Sequence, residues 1–432
     1  MSKTPWSFIP TLYLAEGFPY IVINTVSVLL YGALGYPNDQ ITLWTGWLYL
    51  PWVLKMFWSP LVDARSTKRR WLLAMQTGMG IVFLTLSALI TWYALSHAPQ
   101  TANSFFVLSL LGFLGGAFVS ATLDIATDGY YLLALPPQEQ GYFVGIRTIF
   151  YRIAMILGSG LLVSLVGFLE TWGISQPYNW ALFFGGLAAF FGLCAAYHAT
   201  ILPHPQEDKP VQKTQTTAWK ESFASYFTQS NIISILLFIL LYRFGEALLE
   251  KTVPLFLLKP IADGALGLSM QAYGLIKGTL GLGAIIAGNL AGGWLLGKFG
   301  FKKCIWPFAI ALVLPNIFYV YLAAARPGIT IVAALLTLEN FGYGLAMMAL
   351  TVFIMYVSQG VYKTSHYAIS TGIMALGMMI PSMLSGKMQT LLGYQAFFVV
   401  AFVISLVTFA IVPLCFKINA IDRAEAARQE PK

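Results

Sequence analysis

Three observations predict an all-α, polytopic membrane protein whose twelve transmembrane helices form two six-helix pseudo-repeats. Of the 432 residues 58% are hydrophobic and 10% charged, where an ordinary soluble domain carries about 25% charged residues. The apolar runs recur at roughly the 20 residues that a bilayer requires of a helix. Between them the basic residues cluster in every second loop, the pattern that orients a multi-pass protein.

The spans are expected near residues 8–34, 40–62, 71–95, 104–132, 141–168 and 178–201, then 231–258, 270–297, 304–325, 329–357, 365–387 and 394–416. Span 1 follows Met-Ser-Lys-Thr-Pro-Trp, is too long for a signal-peptide core and shows no clear cleavage site, so it reads as a helix. His204-Pro-Gln-Glu-Asp-Lys-Pro-Val-Gln-Lys-Thr-Gln-Thr-Thr is the longest polar stretch. It reads as a linker that leads into an interfacial helix near residues 219–227. The organisation expected is thus a bundle over 1–202, a linker over 203–230 and a second bundle over 231–432.

Sixteen of the 25 lysines and arginines fall at Lys3, in 63–70, in the linker, in 297–303, at Lys363 and after Pro413. The alternate loops hold Lys259, Arg326 and Lys387. Both termini are therefore expected on the cytoplasmic side of the membrane. The net charge of +8 orients the chain and is no footprint for nucleic acid. Cys194, Cys304 and Cys415 make no disulfide or metal pattern, and no cofactor is expected. Gly281-Leu-Gly-Ala-Ile-Ile-Ala-Gly follows no strand and is no dinucleotide loop; the sequence contains no phosphate-binding Gly-x-x-x-x-Gly-Lys, which excludes ATP hydrolysis by this chain. Four scattered histidines make no catalytic constellation, and His366 reads as an inert loop-end residue.

The informative residues are the charges inside the spans, because each costs at least about 2.5–3.5 kcal/mol at bilayer depth unless it faces protein or water. Span 1 carries Glu16 beside Gly17 and Pro19, which weaken the helix; a break there beside the acid is one reading, and a helix-end acid at the interface is the other. Span 2 carries Lys55 and Trp58; a partner from another helix or an anionic ligand would balance the lysine, the alternative being that it snorkels. Asp124 and Asp128 lie four apart on one face of span 4, where each disfavours the other's charge and a proton can bind. Arg147 and Arg152 on span 5 are five apart and point to different faces, so one is expected to face a cavity. In residues 239–258, read as one helix, Arg243, Glu246 and Glu250 share a face, followed by Lys251. Lys277 on span 8 and Glu339-Asn340 on span 10 complete the set. The plain alternative for each is an internal salt bridge that holds helices together. Together, Lys55, an arginine of span 5, Arg243 and Lys277 face Glu16, Asp124, Asp128, Glu246 and Glu339. Interleaved with aromatics, they suit a large anionic solute with sugar or ring faces.

The halves repeat. Ser59-Pro-Leu-Val-Asp-Ala-Arg-Ser-Thr-Lys-Arg-Arg closes span 2, and Gly293-Trp-Leu-Leu-Gly-Lys-Phe-Gly-Phe-Lys-Lys closes span 8. Both resemble, with departures, the Gly-x-Leu-x-Asp-Arg-x-Gly-Arg-Lys signature of the major facilitator superfamily, with Asp63, Arg65, Gly293, Gly297, Lys298 and Gly300 at the gating positions. Glycine pairs Gly141/Gly145, Gly288/Gly292 and Gly293/Gly297 are expected at close helix contacts.

Lys55-Met-Phe-Trp-Ser-Pro-Leu-Val-Asp, Asp124-Ile-Ala-Thr-Asp-Gly, Leu135-Pro-Pro-Gln-Glu-Gln-Gly, Leu241-Tyr-Arg-Phe-Gly-Glu and Leu338-Glu-Asn-Phe-Gly resemble the AmpG-type muropeptide permeases, a family that includes acetyl-CoA transporters. The likeness implies a proton-driven importer of anhydro-muropeptides that alternates access between its halves and serves cell-wall recycling. It implies roles for Lys55, Trp58, Asp63, Asp124, Asp128, Tyr151, Arg152, Arg243, Glu246, Glu339 and Asn340. Glu16 and Arg147 lie outside the family's pattern. After Asp128 this chain reads Tyr130-Tyr-Leu-Leu, where well-known members have Trp-Lys-Thr-Asp. The expected partners are accordingly a glycopeptide or another large anionic solute, such as a siderophore or an acyl-CoA, with protons and membrane lipid, for a monomer. A membrane receptor or lipid-modifying enzyme is the rival class.

Overall fold

The computed structural model describes residues 4–96, 101–210, 216–358, 363–419 and 421–422. Among the described residues the regular structure is helical throughout, with no strand. Ten stretches are long and apolar enough to cross a bilayer, among them Thr101–Ala134, Tyr178–Ile201 and Ile329–Val357. Two features account for the difference from the twelve spans expected. Span 2 is not among the ten: it forms Asn38–Gly46, a 3-10 turn at Trp47–Tyr49, and Leu50–Arg65, and it carries Lys55, Asp63 and Arg65. Ser365–Cys415 is a single stretch of 51 residues. Gly393, at φ 73° and ψ 165°, breaks that stretch where the loop between spans 11 and 12 is expected.

Two sequence expectations need correction. Span 1 does not break at Gly17 and Pro19, because Ile9–Ile21 is one α-helix with Pro19 inside it. The irregularity comes later, as a π-helical segment at Val22–Val26. A proline in a membrane helix removes one N–H donor, and local π adjustment re-satisfies the freed groups. Residues 239–258 are not one helix, because Ile232–Leu241 ends and Phe244–Leu258 begins with Arg243 at φ −111° between them. Thr408 Oγ1 donates to the Tyr242 carbonyl at 3.0 Å, which satisfies an oxygen the break exposes. Arg243, Glu246 and Glu250 therefore do not form one uninterrupted helical stripe.

The chain forms two compact units. The first comprises Met1–Tyr36, Trp47–Lys213 and Ser269–Thr279; the second comprises Pro37–Gly46, Thr214–Leu268 and Leu280–Lys432. Each thus takes a short segment from the opposite half of the sequence. In the first unit, that segment starts span 8 and lies against span 5. A Cβ on Gly278 would come within 2.1 Å of the Ser159 carbonyl oxygen, and one on Gly160 within 2.8 Å of the Gly278 carbonyl carbon. In the second unit, Asn38 Nδ2 donates to Gln389 Oε1 at 2.6 Å and to the Tyr394 hydroxyl at 2.7 Å, and Gly386 N donates to Thr42 Oγ1 at 3.1 Å. Lipid tails are as apolar as leucine, so such close approaches and buried hydrogen bonds do the work that the hydrophobic effect does in water.

Packing within each unit is aromatic. Phe83 meets Phe184 and Phe191 at centroid distances of 6.0 and 5.6 Å in the first unit. In the second, Phe238 lies 4.2 Å from Phe353 and stacks on Tyr242 at 4.8 Å. Leucines such as Leu193, Leu290 and Leu391 stand outward, where a membrane would cover them. Cys194, Cys304 and Cys415 are buried free thiols.

The linker segments are tied down in both units. Asp208 accepts from the backbone N–H groups of Lys68 at 2.6 Å and Arg69 at 3.0 Å, and Thr67 Oγ1 accepts from Arg70 N–H at 3.2 Å. These contacts cap the helix Lys68–Leu95 at its donor-rich end. The interfacial helix expected near 219–227 is present as Thr216–Phe227 in the second unit. It is fastened by Ser225 Oγ to His366 Nε2 and by the Tyr226 hydroxyl to Ser370 Oγ, both at 2.8 Å, so His366 anchors that helix.

Candidate functional site

A charged cluster forms inside the first unit where spans 1, 2, 4 and 5 meet. Tyr13 and Glu16 lie three apart, and Asp124 and Asp128 four apart, so each pair presents to one helix face. Lys55 Nζ forms an ion pair with Asp124 Oδ2. Arg147 Nη1 donates to Asp128 Oδ1 at 2.7 Å and to the Tyr13 hydroxyl at 2.9 Å, and that hydroxyl donates to Asp128 Oδ1 at 3.0 Å. The guanidinium also lies over the Tyr13 and Tyr131 rings, at 5.4 and 4.8 Å. Oxygens of Glu16, Asp124 and Asp128 come within 4.8 Å of one another.

Exposure grades across this cluster. Glu16 is 6% exposed, whereas the side chains of Lys55 and Asp124 keep 31% and 22% of their surface and those of Arg147 and Asp128 keep 28% and 52%. The cations can therefore meet an anionic solute while their acids hold them in place. An arginine that is both stacked and hydrogen-bonded loses little further freedom on binding.

Other residues singled out in the first unit take different places. Trp58 Nε1 donates to Thr122 Oγ1 at 3.2 Å, and its ring packs on Phe118. Tyr151 is half-buried, and its carbonyl oxygen lies against Gly17, next to Glu16 on span 1. Arg152 Nη1 sits 3.7 Å from Met155 Sδ, so of the two span 5 arginines Arg147 joins the carboxylates. Lys277 is half-buried in a π-helical run, Gly274–Gly281. Arg65 ends its helix and is exposed, and the side chain of Asp63 lies outside the described residues.

In the second unit, Arg243, Glu246, Lys251, Glu339 and Asn340 are all at most 9% exposed. Arg243 Nη2 donates to the Tyr343 hydroxyl and lies 5.0 Å over that ring. Glu246 sits in the first turn of Phe244–Leu258, where the helix dipole favours an acid. Asn340 Nδ2 donates to Glu339 Oε2 at 3.0 Å and to the Leu336 carbonyl at 2.6 Å. Lys298 packs on the Trp294 ring at 5.0 Å, and Gly300 takes φ 86°, which favours glycine. Gly288 and Gly292 meet span 10 closely, whereas a Cβ on Gly293 would come no nearer to it than 3.7 Å, at Met348. Gly145, expected in a tight seam, has open space around its Cβ position, and Gly141 lies outside the described side chains.

Sequence reasoning missed Tyr13, Tyr131 and Tyr343. Each stands three residues from a residue it had singled out, namely Glu16, Asp128 and Asn340, and that helical spacing was the available signal.

A model of the Major Facilitator Superfamily matches residues 11–359. The protein AmpG 4 of Rickettsia conorii is 24% identical over 425 residues, covering 94% of this chain and 96% of its own. The anhydromuropeptide permease of Escherichia coli K12 is 26% identical over 353 residues, covering 80% of this chain and 67% of its own. Among solved structures, a bacterial homologue of the human lysosomal transporter Spinster superposes with a TM-score of 0.74 at 16% identity, over 97% of this chain and 98% of its own. The nucleoside transporter NupG, as its D323A mutant, gives 0.71 at 16% identity, over 95% and 99%.

Proposed function

The chain belongs to the major facilitator superfamily, and we propose that this multi-pass secondary transporter imports anhydromuropeptides with protons by alternating access. The observation that carries the proposal is the cluster around Glu16, in which a half-exposed ammonium and guanidinium stand beside three close carboxyl groups. Muropeptides carry carboxylates that such cations can hold and sugar rings that aromatic side chains can face. The names of the relatives agree with that chemistry.

The residues assigned to the solute are Lys55, Trp58, Arg147, Tyr151, Arg152 and Lys277 in the first unit, and Arg243 and Asn340 in the second. Proton coupling is assigned to Glu16, Asp124 and Asp128, with Glu246 and Glu339 as further carboxyl groups. Asp63, Arg65, Gly293, Gly297, Lys298 and Gly300 are assigned to the conformational cycle. The units of the cycle are a bundle over 1–202 and one over 231–432, joined by the linker 203–230. The setting is a bacterial inner membrane with both termini cytoplasmic, and the working form is a monomer.

The test is uptake of a labelled anhydromuropeptide into proteoliposomes with an imposed inward proton gradient and without one. Accumulation above the outside concentration in the first case and simple equilibration in the second is the expected result. Equal accumulation in both cases rejects proton coupling, and accumulation of a siderophore or acyl-CoA in place of the glycopeptide rejects the solute.

A further inference from the structure

The cluster of the first unit holds three carboxyl groups, Glu16, Asp124 and Asp128, and two cations, Lys55 and Arg147. With all five ionised, one negative charge would be left over in a partly desolvated site, which is costly. The cations are already taken up. Lys55 meets Asp124, and Arg147 meets Asp128, which also accepts from the Tyr13 hydroxyl. Glu16 is 6% exposed, and its Oε2 has no hydrogen-bond partner. A carboxyl oxygen of Glu16 lies within 4.8 Å of one of Asp124. Carboxyl groups this close and this buried disfavour each other's charge, so one of them takes up a hydrogen. Asp124 receives a charge-assisted bond from an ammonium, which favours its ionised form. The hydrogen therefore belongs on Glu16. The other titratable groups around it, Tyr13 on its own helix and Tyr151 on span 5, are phenols and leave this charge balance unchanged.

Building on the proton-coupled reading above, we propose that Glu16 carries the one transported proton beside the Lys55–Asp124 pair, and that Lys55 compensates when it leaves. On release the Glu16 O–H bond breaks, the proton passes to water and the electron pair stays on the carboxylate. The Lys55 ammonium, still protonated, then serves both Glu16 and Asp124, while Arg147 and Tyr13 hold Asp128 throughout. Each turnover moves one proton.

Infrared spectra of the full-length protein in lipid at neutral pH read the assignment without any solute. The carbonyl stretch of a buried protonated carboxyl group should be present in the wild type, absent in Glu16→Gln, shifted but present in Glu16→Asp, and unchanged in Glu246→Gln and Glu339→Gln. A band that survives in Glu16→Gln, or disappears in either of the last two variants, overturns the proposal. Its stoichiometry is read by uptake of labelled anhydromuropeptide with the membrane voltage clamped at zero. One proton per solute allows about tenfold accumulation per unit of imposed pH gradient, and Glu16→Gln should fall to onefold while Glu16→Asp recovers part of the gain. A limit near a hundredfold per unit means two protons and overturns the single-proton claim. Accumulation driven by sodium, with no carboxyl band, identifies a metal ion in place of the proton. If the band behaves as expected but wild-type uptake ignores the pH gradient, the coupled reading fails while the location of the proton stands.

Discussion

In the first unit Lys55 and Arg147 each meet a carboxylate, and those four side chains keep between 22% and 52% of their surface. In the second unit Arg243, Glu246, Lys251 and Glu339 are at most 9% exposed, and Arg243 donates to the phenol of Tyr343. A partly exposed pair can be reached and competed for by another ion even where losing one partner is costly, whereas a sealed charge is closed off from any such exchange. The first cluster is therefore the one that an ion or solute can reach, and the second is closed to both as it stands. Charge at bilayer depth thus takes two forms in one chain, told apart by exposure.

The largest effect expected is at Lys55. Lys55→Ala leaves Asp124 without its cation and should cost about 3 kcal/mol, seen as a lower unfolding temperature in detergent. Adding Asp124→Ala should recover most of that loss while leaving uptake abolished. If the double variant is as unstable as the single one, the pair does not explain the cluster and the contrast between the units collapses. Next comes Gly278→Ala, whose methyl group would press on the Ser159 carbonyl at 2.1 Å; a loss of about 1–3 kcal/mol is expected in the same assay. A smaller change sharpens the account of the second unit. Tyr343→Phe removes one acceptor of Arg243 but keeps the ring beneath it, so about 1 kcal/mol should be lost, and a loss matching that of Lys55→Ala would make the two clusters equivalent. The smallest effect has the opposite sign. Gly145→Ala, at a position with open space around it, should raise stability by about 0.5 kcal/mol, and a destabilised protein would place Gly145 in a tight seam after all.

The fold and half of the site were legible because membrane burial makes single charges conspicuous. Glu16, Lys55, Asp124, Asp128 and Arg147 stand out in apolar runs, and the four-residue spacing of the aspartates already placed them on one face. What could not be read was pairing across helices. Lys55 gave no sequence sign that Asp124 would serve it, and the tyrosines that brace Arg147 looked like ordinary membrane aromatics. Backbone irregularities were also misplaced. Gly17 and Pro19 suggested a break, yet Gly17 is there because a Cβ would lie 2.6 Å from the Tyr151 carbonyl oxygen. The interruption at Arg243 falls where neither glycine nor proline precedes it in the span. It depends on Thr408 from a distant span to satisfy the freed carbonyl, a tertiary contact that no local pattern encodes.

The claim on which the account turns is that solute and proton enter together through the first unit's cluster. Its most direct test is to load wild-type proteoliposomes with a pH-sensitive dye, add anhydromuropeptide outside with no gradient imposed, and follow the internal pH. Acidification that tracks solute entry is predicted. Entry of the solute with the internal pH unmoved would contradict it.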